Sequence, residues 1–289
     1  MPDPSSLRRA TKASSMVSMA DKDYRRFSEF IHAECGIKLP MSKKTMVEAR
    51  LQKRLRVLGL SSFREYNEFI FSPSGLSEEL SHLIDAITTN TTEFFRESKH
   101  FDIMNQTVLP YFLASRGLAH PVRVWSAGCS SGEEPYTLAM VLSEFAERTP
   151  GFRFSIMATD ISSQILEKAR RAIYPEDRVA GMSHELKRKY LLRSKDRSKK
   201  LVRIAPALRE RISFSHLNFM EEFSFKDPMD IIFCRNVMIY FDRATQETLL
   251  NKFCRQLRTG GHLFIGHSES LTGMDLPLQQ VSPTVYRRV

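Results

Sequence analysis

Long apolar runs are missing from these 289 residues, so no stretch predicts a helix that crosses a bilayer. The first residues lack the apolar core of a secretory signal. Cysteine is scarce: Cys35, Cys129, Cys234 and Cys254 lie far apart, with no C-x-x-C pair. That spacing argues against a disulfide framework or a zinc site and points to a reducing cytoplasm; no metal is expected. A G-x-G-x-x-G fingerprint is absent too, which leaves a dinucleotide site unsupported. Acidic residues are in deficit, 33 against 43 Lys and Arg, for a formal charge of +10. Such a balance calls for an acidic partner, whether nucleic acid, anionic membrane or an acidic protein surface, and charge alone does not choose among them.

What is present is an ordinary globular composition, 42% hydrophobic and 26% charged, in a chain long enough for one large domain or two smaller ones. Its centre is Val122 to Tyr136, VRVWSAGCSSGEEPY. A short apolar run, Val122 to Trp125, turns through small residues, and Glu133-Glu134-Pro135 leads into an apolar-periodic segment. This reads as strand, tight turn and helix, the first βα unit of a nucleotide-type sheet. Gly128 and Gly132 let backbone approach a ligand closely. Two carboxylates at the helix entrance would repel a pyrophosphate, so a ligand with hydroxyls and a positive charge suits the turn better.

Residues 1 to about 20 read as a disordered leader. From 21 to 87 the pattern is helical. Asp21 can cap a first helix, Ser42 a second over Lys43 to Leu58 ended by Gly59, and Ser61 or Ser62 a third that stops at Ser72-Pro73. A fourth begins near Ser77. On the second helix Lys43, Arg50, Lys53 and Arg54 share one arc, either a solvated face or a docking surface for something acidic. A linker over 88–98 precedes a helix from Lys99 to Phe112, the Val122 strand and a helix from Tyr136 to Arg148. Further strands are expected at Phe152 to Thr159, Ile212 to Leu217, Met229 to Cys234, His262 to His267 after the Gly260-Gly261 turn, and Thr284 to Arg288. Helices at Ser162 to Ala172 and Ala244 to Leu257 alternate with them. The alternation predicts an α/β fold, a doubly wound and mostly parallel sheet over 99–289 behind an all-α N-terminal domain. Between about 174 and 211 the rhythm breaks: Leu191 to Ile204 looks like a hairpin, and Lys187 to Arg211 holds eleven basic residues against two acidic ones. A long insertion in a βα connection usually serves recognition.

Ligands of such sheets sit at the C-terminal strand ends, where strand order reverses. Four positions arrive there: the Gly128 to Glu134 turn; Asp160, able to accept from both hydroxyls of a ribose; Asn218-Phe219, an amide and a ring suited to a purine; and Cys234 to Tyr240.

Five blocks, TTNTTEFFRE (88–97), WSAGCSSGEEPY (125–136), ATDI (158–161), IFCRNVMIYF (232–241) and GHSES (266–270), closely resemble the CheR-type chemotaxis receptor methyltransferases. The resemblance covers about Asp21 to Tyr286. It implies a class I S-adenosylmethionine-dependent, Rossmann-like methyltransferase fold with a small β-subdomain inserted at about 174–211 and a helical N-terminal domain that docks receptors. It implies methylation of glutamate side chains on cytoplasmic helical regions of chemoreceptors, with S-adenosylhomocysteine as by-product. By match to the family blocks, Asn90, Thr92, Arg96, Glu134, Asp160, Asn218, Phe219, Cys234 and Arg235 contact the cofactor, although Phe219 replaces a more usual aliphatic residue. Arg96 then guides the carboxylate and Tyr240 lies beside the transferred methyl. Cys129 is only a small turn residue. Some members are tethered by a receptor's C-terminal peptide at the β-subdomain, and the insertion's length is compatible with that. The resemblance also implies a cytoplasmic enzyme, without nucleic acid or membrane insertion, recruited to membrane-associated receptor arrays.

The chemistry agrees. A glutamate has an ordinary pKa of about 4.3 and is already an anion at neutral pH, so no general base is needed. Attack on a sulfonium methyl annihilates two charges, and the protein's task is to exclude water and align the attack. This accounts for the lack of a catalytic His, Cys or Ser constellation. Two rival readings are a cofactor-binding array protein without transferase activity, which Arg96 and Tyr240 argue against, and a nucleic-acid methyltransferase, whose amino-methylating members often carry a Pro-Pro motif where this chain has Asn236-Val237-Met238.

Overall fold

A computed structural model describes residues 18–289; the expected leader lies outside the described residues but for its last three. Four helices come first: α1 (Asp21–Cys35), α2 (Lys44–Leu58), α3 (Phe63–Ile70) and α4 (Pro73–Ile87). Their apolar faces close a core of Tyr24, Phe27, Ile31, Val47, Leu51, Leu55, Phe63 and Tyr66, the aliphatic and phenylalanine side chains each worth roughly 1.5–3 kcal/mol of burial. The boundaries differ from expectation for local reasons. Asp21 is the first residue of α1 rather than its cap, and it pairs with Lys44 Nζ at 2.6 Å. A 3-10 turn over Met41–Lys43 takes the place of a Ser42 cap on α2. Ser62 caps α3 by accepting from Glu65 N, while the Glu65 carboxylate accepts from Ser61 N at 2.9 Å. Ser72-Pro73 does not only stop α3: Ser72 Oγ accepts from Gly75 N and Pro73 occupies the first turn of α4, four residues ahead of the Ser77 start.

Beyond the linker, α5 (Lys99–Ile103) runs through a π-helical turn, Met104–Val108, into α6 (Leu109–Arg116). Pro110 has no N–H and its ring crowds the preceding turn; the ladder responds with a bond from Leu109 N to Met104 O. Then come β1 (Val122–Ala127), α7 (Glu133–Arg148), β2 (Phe154–Asp160) and α8 (Ser163–Arg171). The insertion contributes β3 (Ile173–Pro175), α9 (His184–Tyr190), β4 (Leu191–Arg193), β5 (Leu201–Ile204) and the short α10 (Pro206–Arg209). The chain ends with β6 (Ile212–His216), β7 (Met229–Cys234), α11 (Arg243–Gln256), β8 (Leu257–Ile265), β9 (Leu278–Ser282) and β10 (Val285–Arg288).

The main sheet runs β6-β2-β1-β7-β8-β10-β9. Pairings from β6 to β8 are parallel and those of β10 with β8 and β9 are antiparallel. The chain moves outward from β1 through β2 to β6, then returns to the other side of β1 at β7. That reversal opens a crevice at the C-terminal ends of β1 and β7. β7 is buried throughout, and its one acid, Asp230, accepts from Arg123 N at 2.8 Å and pairs with Arg116 and Arg258. The insertion forms its own antiparallel sheet, β3-β5-β4. Strand β9 was not expected, and β8 begins five residues before His262, passing through Gly260-Gly261 rather than turning there.

Candidate active site

The turn after β1 is held from the neighbouring strand. Gly128 N and Cys129 N both donate to Thr159 O, at 2.8 and 2.9 Å. Gly128 takes φ +80, and a Cβ there would lie 2.5 Å from Val237 Cγ2. Ser130 is also left-handed, at φ +50, and its N donates to Asp160 Oδ2 at 2.8 Å while Ser162 N donates to Oδ1 at 3.0 Å. Burial pushes the Asp160 carboxyl above its ordinary range, and these backbone donors pull against that shift. Each oxygen keeps a lone pair for a further donor.

Glu134, in the first turn of α7, accepts from Ser126 Oγ and from Arg235 Nε, both at 2.7 Å. Arg235 is 7% exposed and acts as a hub. Its Nη1 donates to Arg96 O at 2.7 Å and to His100 Nδ1 at 3.2 Å, and it lies 3.5 Å from Glu97 Oε2. His100 Nε2 then faces Thr284 Oγ1 at 2.7 Å, and that hydroxyl donates to Pro283 O. A neutral ring protonated on Nε2 suits both Arg235 and Thr284, leaving Glu97 Oε2, 3.4 Å from Nδ1, without a hydrogen bond; burial followed by the Arg235 charge lowers the His100 pKa to about 4.

Asn90, Thr92, Arg96, Glu134, Asp160, Asn218, Phe219, Arg235 and Tyr240 all line one crevice between strand ends and linker, with Cys35 and Ile37 of the helical domain completing its wall. Arg96 is half-buried and donates from Nη1 to Thr91 O at 3.0 Å. Tyr240 O accepts from Lys38 N at 2.8 Å, and Lys43 Nζ stands 5.6 Å from the Tyr240 ring centre. Three expectations change in detail. The Asn218 amide is already engaged, donating to Glu34 O at 2.7 Å and accepting from Met220 N at 3.0 Å, so it has less to offer a purine. The Phe219 ring packs edge-on against Phe253 within the core. Cys234 is fully buried and outside the crevice lining, its thiol pushed well up by burial.

The basic arc of α2 is divided as well. Arg54 makes two bonds to buried Glu79, at 2.8 and 2.6 Å, and Arg50 donates to Ile87 O, Thr88 O and Thr89 Oγ1. Lys53 is exposed and Lys43 leans over the crevice mouth. Glu269, which carried no assigned role, accepts from Gly266 N, Asn236 N and Met238 N at 2.6, 3.1 and 2.8 Å and so shapes the loop that carries Tyr240. Its position in the GHSES block was the available signal.

A doubly wound sheet with one buried acid in the helix turn after β1, another at the end of β2, and no cation on the turn to hold phosphates has the make-up of an S-adenosylmethionine-dependent methyltransferase. The donor set fits that cofactor, with acids for hydroxyls and for positive charge. Residues 90–287 match the CheR methyltransferase, SAM binding domain, and residues 22–88 match the CheR methyltransferase, all-alpha domain. The chain belongs to the CheR methyltransferase family. It is 42% identical over 276 residues to a chemotaxis protein methyltransferase of Borreliella burgdorferi, covering 94% of this chain and 96% of that one. A probable chemotaxis protein methyltransferase of Rhizobium etli is 39% identical over 246 residues, 84% of this chain and 90% of the other. The chemotaxis protein methyltransferase of Escherichia coli is 37% identical over 271 residues, covering 93% and 92%. Among the described residues no helix is long and apolar enough to cross a membrane.

Proposed function

We propose that the chain methylates glutamate side-chain carboxylates on the cytoplasmic helical regions of chemoreceptors, giving methyl esters and S-adenosylhomocysteine. The observation that carries this reading is a transfer crevice with no spare base: its two carboxylates are already held, Glu134 by Ser126 Oγ and Arg235 Nε and Asp160 by Ser130 N and Ser162 N. Among the described residues none that lines it is a histidine or a lysine, and the Cys35 thiol is held protonated, its pKa pushed up to about 11 by burial. Such a site suits an acceptor that is already an anion.

The cofactor supplies an electrophilic methyl group on a sulfonium. Asp160 accepts from ribose hydroxyls with its free lone pairs; Glu134, steadied by Ser126 and Arg235, sits toward the positive end; Asn90 and Thr92 frame the pocket from the linker. Asn218 and Phe219 contribute through the shape of their loop, and Cys234 by seating Arg235. Arg96 guides the incoming carboxylate with the guanidinium donors that Thr91 leaves free. Its hold must stay loose, because a tight ion pair would blunt the nucleophile. Tyr240 walls the methyl's path. The helical domain, about residues 21–87, brings the receptor, with exposed Lys53, and Lys43 beside the Tyr240 ring, as the cations that meet it; Arg50 and Arg54 hold that surface in shape. The inserted subdomain, about 174–211, gives a second receptor contact at which a C-terminal peptide tethers, and the enzyme works in the cytoplasm at receptor arrays.

Incubation with methyl-labelled S-adenosylmethionine and receptor-containing membranes tests the reading. Label on the receptor that is released as methanol by mild base is expected of a carboxyl methyl ester; base-stable label, or none, sinks it.

A further inference from the structure

We propose that Arg178 is a positioning residue for methyl transfer: from the inserted subdomain it grips the Thr91 to Arg96 segment and so fixes where Arg96 meets the carboxylate. The inference rests on the role given to Arg96 above.

Arg178 lies in the 3-10 turn Glu176–Val179 that follows β3. One nitrogen, Nη2, donates both to Thr92 O and to Glu133 Oε1, the latter at 2.5 Å. Glu133 is 1% exposed, and its other oxygen accepts from Ser131 Oγ at 2.6 Å. A single guanidinium therefore ties the linker to the start of α7 across the crevice wall. The neighbouring Tyr174 repeats the pattern: its hydroxyl donates to Ser131 O at 2.7 Å and its ring packs edge-on against Phe94 at 5.0 Å.

The segment needs holding. Phe95 and Glu97 take φ +58 and +54, left-handed backbone that costs side-chain-bearing residues about 1–2 kcal/mol each. Arg235 secures it at Arg96 O, and Thr137 Oγ1 at Phe95 N. Arg178 secures it at Thr92 O, one peptide from the Thr91 carbonyl on which the Arg96 side chain rests. Without Arg178 that carbonyl pair is free to rotate, and Arg96 loses its fixed footing.

A merely structural Arg178 would act by neutralising Glu133, and the two roles separate in four chains: wild type, E133Q, R178M and the double variant R178M/E133Q. Each is measured for melting temperature without ligand, for S-adenosylhomocysteine affinity by calorimetry, and for kcat and KM with labelled cofactor and receptor membranes. R178M is expected to melt early, because it leaves Glu133 buried beside no cation. The double variant should regain the melting temperature of E133Q, yet keep a kcat about tenfold or more below it, since misplacement of a positioning group is costly. Its product affinity should stay within about threefold, the signature of an interaction realised in transfer rather than binding. R178K, which keeps a donor, should restore part of kcat. A double variant whose kcat equals that of E133Q overturns this inference alone. A wild-type chain that transfers no label overturns the receptor reading and this inference together.

Discussion

Arg235 and Arg96 carry the same charge in different surroundings, and the difference underlies the roles proposed for them. Arg235 is buried and engaged on Glu134, the Arg96 carbonyl and His100, so it builds the wall. Arg96 is half-buried, with one nitrogen on Thr91 O, so most of its five donors stay free for a guest. Arg96→Ala should lower kcat about 100-fold while S-adenosylhomocysteine affinity moves only a few-fold, because the lost contact is to the acceptor. Unchanged turnover at saturating receptor would remove Arg96 from the mechanism. A pH prediction follows from His100 and His262, each lowered to about 4 with burial as the main cause. An unfolded histidine titrates near 6.5, so the folded state binds fewer protons between pH 6.5 and 4. The stability these two neutral rings allow is present above about 6.5 and is lost as pH falls toward 4, by about 2 kcal/mol each at pH 5. Denaturant titrations at pH 7 and 5 should show a smaller drop for His100→Gln than for wild type; an equal drop would mean that His100 is not held neutral.

At the scale of elements, what the sequence revealed depended on how local the deciding interaction was. Apolar periodicity placed the helices and parallel strands because each pattern reports its own burial. Prolines were harder to read, since the same residue stops one helix and opens the next at Pro73, or reshapes a helix without ending it at Pro110. Strand β9 was missed because LQQVS is polar and mostly exposed; its pairing with β10 and the turn at Pro283-Thr284 hold it. That Asp160 and Glu134 line the crevice could be read from their places after strands, whereas the Asn218 amide's bond to Glu34 O spans the chain and leaves no local trace. The arc on α2 shows the same limit: four cations shared a face, but only tertiary structure gave Arg54 the buried acid Glu79. Arg54→Met should therefore destabilise the protein by about 3 kcal/mol, as broken buried pairs do. Lys53→Glu should leave the melting temperature nearly unchanged but raise the receptor KM several-fold at low ionic strength, an effect that fades as salt shortens the screening length to about 3 Å near 1 M. An Arg54 variant as stable as wild type would return that side chain to the docking surface.

For the molecule as a whole, the decisive feature is that the helical domain forms part of the crevice. The end of α1 meets the larger domain in four ways. His32 Nε2 lies 2.8 Å from Asp242 Oδ2, Glu34 O receives the Asn218 amide, Lys38 N donates to Tyr240 O, and Gly36 sits on Met220. Between these contacts Cys35 and Ile37 line the crevice proposed to hold the cofactor. Gly36 is the point at which this seating can be tested. It takes φ +72, and a Cβ would come within 2.7 Å of Met220 Sδ and 3.2 Å of Thr245 Cγ2. The methionine can yield, but a β-branched residue in left-handed backbone costs about 1–2 kcal/mol and presses on Thr245 as well. Gly36→Val should tilt the end of α1 away from the 218–220 loop, and S-adenosylhomocysteine should then bind several-fold more weakly although no side chain proposed to contact it has changed. Calorimetry read beside the melting temperature decides the matter. Weaker product binding with a modest loss of heat stability makes the helical domain a working wall of the cofactor site. An equal loss of heat stability with full affinity would confine that domain to delivering the receptor, and Cys35 and Ile37 would then line the crevice without contributing to binding.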